Sequence, residues 1–206
     1  MQSMDDLFFA LLQDVYCAEK EQLALLATLA EKSSNATLKL AFRDHEDETL
    51  EQVARLEEVF EILGREPQAG GLNPEAMNSG AMNSGAMNSG AVNSGAMNSG
   101  AMNSGAINSG TMTAIAGEAR RIAADTTDPA VRDAGMVAAC QALEHYEVAR
   151  YGTLVAWAEH LAEDDVVDLL AETLEEEQHA DELLSSIAEG GVNASACERP
   201  AAMQEV

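Results

Sequence analysis

The sequence has little positive charge: 11 lysines and arginines stand against 36 aspartates and glutamates, for a formal net charge of −25. A surface of that sign repels phosphate backbones and anionic headgroups, which excludes nucleic acid and acidic membrane as direct partners. Aromatic residues make up only 4% of the chain although 47% is hydrophobic. The apolar bulk is Ala and Leu, set among abundant Glu, and that is the composition of a helical protein. Three cysteines, Cys17, Cys140 and Cys197, are too few and too scattered for a disulfide framework or a cysteine-based zinc site. No run of about 18 apolar residues occurs, so no membrane span is read. The start MQSMDDLFF lacks the basic segment of a signal peptide, and the expected location is cytoplasmic.

What is present is helix punctuation. Ser3 and Asp6 can cap a first helix running to about Lys32, and Ser33-Ser34-Asn35 is a short polar turn. A second helix runs from about Ala36 to Leu63 and stops at Gly64, which makes residues 1–64 an antiparallel hairpin. Residues 65–111 form a long crossover in which Pro67, Gly70, Gly71 and Pro74 break the helix. Within it a pentapeptide repeats seven times over 76–110, five units reading AMNSG and two carrying Val92 or Ile107 in place of Met. Steps of five turn about 140° on a helix, so the apolar position makes no stripe. Seven units are too few for a stacked β-helix, and the array reads as a flexible low-complexity linker. A short helix at about Met112–Ala124 follows, and Asp128-Pro129 starts a third long helix reaching Ala162. After the Glu163-Asp164-Asp165 turn a fourth helix continues to about Glu189, completing a second hairpin within 112–190 and leaving 191–206 as a disordered tail. The fold expected is all-α: a ferritin-like antiparallel four-helix bundle of two helical hairpins joined by a long crossover.

Each long helix can be phased at about 100° per residue. In the first, Leu12, Tyr16, Glu19, Leu23, Leu26 and Ala30 repeat by fours and threes, with a glutamate in the apolar seam. The second places His45 and Gln52 on its seam and Glu48 on its shoulder. The third turns Glu144, Glu147 and Tyr151 inward, and the fourth turns Glu177 and Asp181 inward. The turns set these residues at one level, since Glu19 with Glu48, and Glu147 with Glu177, are equidistant from their turns. The expectation is one polar layer crossing the core, with apolar rungs above and below.

Six carboxylates in one layer are not tolerable unaided, because burying even one unpaired costs several kcal/mol, roughly. No lysine lies on the four seams, and Arg55 is at most on a shoulder. A bound cation is the simplest solution. Oxygen-rich ligands with one imidazole suit iron or manganese better than zinc, and so large a cluster suits two ions. Of the histidines only His45 points inward; His145, His160 and His179 phase to the surface. Glu176 and His179 spell a literal E-x-x-H, but its phase is wrong, which favours Glu177 and Asp181 instead.

The stretches DLFFALLQDVYCAEKEQL, AFRDHEDETLEQVARLEEVFEILG, DPAVRDAGMVAACQALEHYEVARYGTL and LAETLEEEQHADELL resemble the YciE/YciF family. That is a bacterial ferritin-like group often called stress proteins or ferroxidases. The resemblance covers the four long helices, and the pentapeptide array looks like an insertion into the family's crossover. It implies a homodimeric bundle with a di-metal carboxylate centre. Glu19 and Glu144 or Glu147 match the single glutamates of the wider ferritin-like pattern, and Glu48 and Glu177 match its paired helices. The histidines expected three residues on are Glu51 and Ala180, a departure that bears on oxidase chemistry more than on metal binding. The reading is a di-iron or di-manganese protein that oxidises Fe(II) or scavenges peroxide, drawing on O2 or H2O2. Its ligands are Glu19, His45, Glu48, Glu144, Glu147, Glu177 and Asp181, and Tyr16, Gln52 and Tyr151 support them by hydrogen bonds. The alternative is a non-enzymatic bundle with a structural or degenerate site, acting through partners.

Overall fold

The computed structural model describes residues 2–67 and 110–198. Its regular elements are all helical: α1 (Met4–Lys32), α2 (Ala36–Ile62), α3 (Gly110–Asp125), α4 (Pro129–Leu161) and α5 (Asp164–Ile187). A π-helical turn at Ala188–Val192 then leads into the short α6 (Asn193–Cys197). Among the described residues no helix is long and apolar enough to cross a membrane. The pentapeptide array lies outside the described residues apart from Gly110, which opens α3.

Helix starts follow the local chemistry. Ser3 Oγ accepts from the Asp6 amide at 3.0 Å while the Asp6 carboxylate accepts from the Ser3 amide at 3.2 Å, closing a capping box on α1. Asn35 Oδ1 and Asp128 Oδ1 each accept from two amides of the first turns of α2 and α4, where Pro129 supplies a preset φ. α1 packs on α2 and α4 on α5; α2 also packs on α5, α1 on α4, and α3 on both α4 and α1. One buried carboxylate ties the hairpins at that end. Asp133 on α4 accepts from the Ser34 amide at 3.0 Å, the Asn35 amide at 2.8 Å and the Ser34 hydroxyl at 2.5 Å.

The chain beyond residue 190 departs from the expected disordered tail. Gly191, at φ 149, takes a conformation that side-chain-bearing residues rarely adopt. Val192, 3% exposed, then buries in the same apolar cluster as Ile187 and Ala188. That burial holds α6 against α4; residues 199–206 lie outside the described residues.

The core is in two parts. One apolar cluster gathers Leu25, Leu26, Leu29, Leu38, Phe42, Met112, Met136 and Leu143 around α3. The other gathers Phe8, Leu12, Val15, Leu56, Phe60, Tyr151, Leu154 and Leu170. Between them lie Glu19, Gln22, Thr49, Gln52, Glu144, Glu147 and Glu177, each 0% exposed, with His45 at 6%. A polar layer therefore does cross the core between apolar rungs.

Candidate metal centre

Spacings of three and four bring each helix back to this layer once per turn. α1 supplies Glu19 and Gln22, α2 supplies His45, Thr49 and Gln52, α4 supplies Glu144 and Glu147, and α5 supplies Thr173 and Glu177. At the centre, His45 Nε2 lies 3.2 Å from Glu144 Oε2 and 3.8 Å from Glu177 Oε2. One donor atom from each of His45, Glu144 and Glu177 falls within 4.8 Å of the others. Gln22 Nε2 sits 2.9 Å from His45 Nε2 and 3.4 Å from both Glu144 oxygens. Cys140 Sγ lies 3.3 Å from Glu144 Oε1, and the Tyr151 hydroxyl donates to Glu19 Oε1 at 2.5 Å. On the far side of the imidazole, Nδ1 is 3.4 Å from Glu48 Oε2. A metal-ligating histidine is commonly oriented this way, one ring nitrogen given to a carboxylate and the other left for the ion.

The electrostatics are those of an incompletely neutralised site. Burial pushes Glu19 from 4.5 up to about 7, against the Tyr151 hydrogen bond and the His45 charge. Burial, then the neighbouring carboxylates, hold Glu147 and Glu177 well above the usual carboxylate range. Burial disfavours charge on His45, yet Glu144, Glu48 and Glu177 outweigh it and hold the imidazole well above 6.5. Glu144 is also buried, but the charge and hydrogen bond of His45 bring its pKa below 4.5. Both oxygens of Glu147, both of Glu177 and Oε2 of Glu19 have no hydrogen-bond partner. Orphaned buried carboxylate oxygens around an imidazole nitrogen are a donor set that fits a divalent cation. The buried His45, Glu144 and Glu177 group could hold a metal ion.

Other residues read from the sequence sit differently. Glu48, with its side chain 45% exposed, stays at the rim and touches the ring from outside, so it is not among the converging donors. Asp181 is not among the three converging donors: its Oδ2 lies 3.4 Å from His145 Nε2, while its Oδ1 is buried without a hydrogen-bond partner. The Tyr16 hydroxyl leaves the layer to donate to Glu57 at 2.8 Å, because its ring packs edge-on against Phe60. Gln52 donates to Glu176 at 3.1 Å and supports none of the converging donors. Glu176 meets Arg55, whose two terminal nitrogens lie 2.8 and 2.9 Å from its carboxylate, with Thr173 Oγ1 at 2.6 Å from the first. The three-four spacing puts Leu23 on the seam in place of Gln22, because Leu23 is the apolar residue of the pair. Leu23 is only half-buried, and Gln22 takes the place in the layer.

The family model described as a domain of unknown function, DUF892, matches residues 3–107 and again 99–197. Protein YciF of Escherichia coli K12 is 34% identical over 196 residues, spanning 95% of this chain and 96% of that protein. The crystal structure of the E. coli stress protein YciF superposes with a TM-score of 0.69 at 33% identity, over 94% of this chain and 99% of that one. YcfI from Rhodopseudomonas palustris, provisionally described as a structural protein, superposes with a TM-score of 0.69 at 32% identity over 90% and 95%. With two matches of the family model spanning most of its length and a relative 34% identical over 95% of it, the chain belongs to the YciF family of DUF892 proteins.

Proposed function

We propose that the protein is a ferritin-like metal-carboxylate bundle, holding iron or manganese in the polar layer and oxidising Fe(II) or removing peroxide. The observation that carries the reading is the convergence of His45, Glu144 and Glu177 beside carboxylate oxygens of Glu147 and Glu19 that have no partner. His45, Glu144 and Glu177 would hold one ion, and Glu147 and Glu19 give the layer donors for a second. Bound iron or manganese would supply the redox chemistry. The chain's own residues do the rest. Tyr151 fixes one oxygen of Glu19 and leaves the other free, Gln22 and Cys140 hold Glu144, and Glu48 orients the imidazole. The two apolar clusters exclude water above and below.

A second reading has its own support. Glu51 is exposed and Ala180 carries no donor, so the positions where a di-iron oxidase would place its histidines have none facing the layer. The Rhodopseudomonas relative is described as structural. On that reading the ion braces the bundle and turns nothing over. Metal analysis followed by aerobic Fe(II) titration separates the two. A ferroxidase oxidises added Fe(II) faster than buffer and loses that rate in Glu144→Ala, whereas a structural site binds metal and leaves the buffer rate unchanged.

A further inference from the structure

Resting on the metal reading above, we infer that the cavity between α2 and α5 is the route by which a divalent cation reaches the buried donors. The seam between these helices is sealed along one stretch and open along the next. On the sealed stretch Arg55 clamps Glu176 with both terminal nitrogens, and one of them, Nη2, also lies 3.2 Å from Glu172. On the next stretch lies a cavity of about 160 Å³ whose lining includes Asp44, His45, Glu48, Cys140, His179 and Leu183.

The cavity meets the donor set at one residue. His45, 6% exposed, lines it and also presents Nε2 to Glu144 and Glu177. Cys140 lines it too and touches Glu144. Toward solvent the lining carries Asp44 and His179, both exposed, and Leu183 at 39%. The rest of the lining is apolar, with Ala41, Phe42, Ala180 and Leu184, and the volume admits several waters. The carboxylates of Asp44 and Glu48, in a cavity that ends on the His45 imidazole, point to a cation as what passes. Carboxylates at a mouth of low dielectric raise local cation concentration and speed capture.

The test reads binding kinetics without turnover, by stopped-flow visible absorbance of Co(II) added to metal-free protein. Leu183→Trp narrows the mouth and touches no donor. It should slow association and dissociation by the same factor, about tenfold, and leave affinity unchanged, since a narrowed passage raises the barrier in both directions. Leu183→Ala should speed both. Asp44→Asn should slow association and flatten its dependence on ionic strength. Unchanged rates in all three variants, with wild type binding normally, overturn the route and leave the metal site standing. A loss of affinity at an unchanged association rate also overturns it, by making these residues part of the site. If wild-type protein binds no Co(II), the metal reading itself has failed.

Discussion

The two hairpins share one plan and fill it differently. α1 and α2 send one carboxylate into the layer, Glu19, beside Gln22, Thr49, Gln52 and a single imidazole; α4 and α5 send Glu144, Glu147 and Glu177, all 0% exposed. The first hairpin therefore supplies neutral hydrogen bonds and a counter-cation, and the second concentrates negative charge. Burial penalises every one of those carboxylates, and His45 relieves chiefly Glu144. The asymmetry explains why the donors converge on the second hairpin, with His45 reaching across from the first. An ion there neutralises the side of the layer where charge accumulates.

The largest effect should come from the charged side. Glu144→Gln is expected to weaken Mn(II) binding by more than the roughly hundredfold that losing an outer hydrogen-bond partner costs. Isothermal titration calorimetry checks this, and an undiminished affinity would place the ion elsewhere. On the neutral side the loss should be smaller. Gln22→Leu and Glu48→Gln remove partners of His45 and are expected to cost about 10- to 100-fold each in the same titration.

The charge imbalance also predicts a pH dependence for chelator-treated protein. Glu19, Glu147 and Glu177 have raised pKa values, so the folded state holds protons that the unfolded chain releases near 4.5. Their contribution is lost as pH rises from about 4.5 through about 7 and beyond. His45, raised by its carboxylates, acts with the same sign. Glu144 is lowered and acts oppositely, losing its contribution as pH falls below about 4.5. The melting temperature of metal-free protein should therefore fall between about pH 5 and about pH 8. Glu147→Gln should flatten the fall, and saturating Mn(II) should abolish most of it. A metal-free melting temperature that rises over this range would contradict the assignment of the buried charges.

The smallest effect concerns the scaffold. Asn35→Ala removes the acceptor for the first amides of α2 and is expected to cost about 1 kcal/mol in urea unfolding. Its Mn(II) affinity should stay at the wild-type value, because the cap lies at the hairpin turn and away from the layer.

Much of this frame is legible in the sequence. Capping residues mark the helices, and the three-four spacing places Glu19, His45, Glu144, Glu147 and Glu177 inward, as they are found. Periodicity fails in two ways. It cannot choose between adjacent residues when the apolar one is the outer one, which is how Leu23 displaced Gln22. Nor does it know where a long side chain ends: Glu48 and Tyr16 start near the layer and finish at the rim or on Glu57. Partners on other helices are invisible to a single-helix pattern, and so the Arg55–Glu176 clamp and the Asp133 tie emerge only from the fold. The helix Asn193–Cys197 was hidden behind two glycines, since nothing local shows that Val192 will be buried.

The most direct test is anomalous diffraction at the manganese edge from crystals grown with Mn(II). The account predicts a peak bounded by His45, Glu144 and Glu177, with a second ion, where present, toward Glu147 and Glu19. A map with peaks only on the acidic exterior, or none at all, would contradict it.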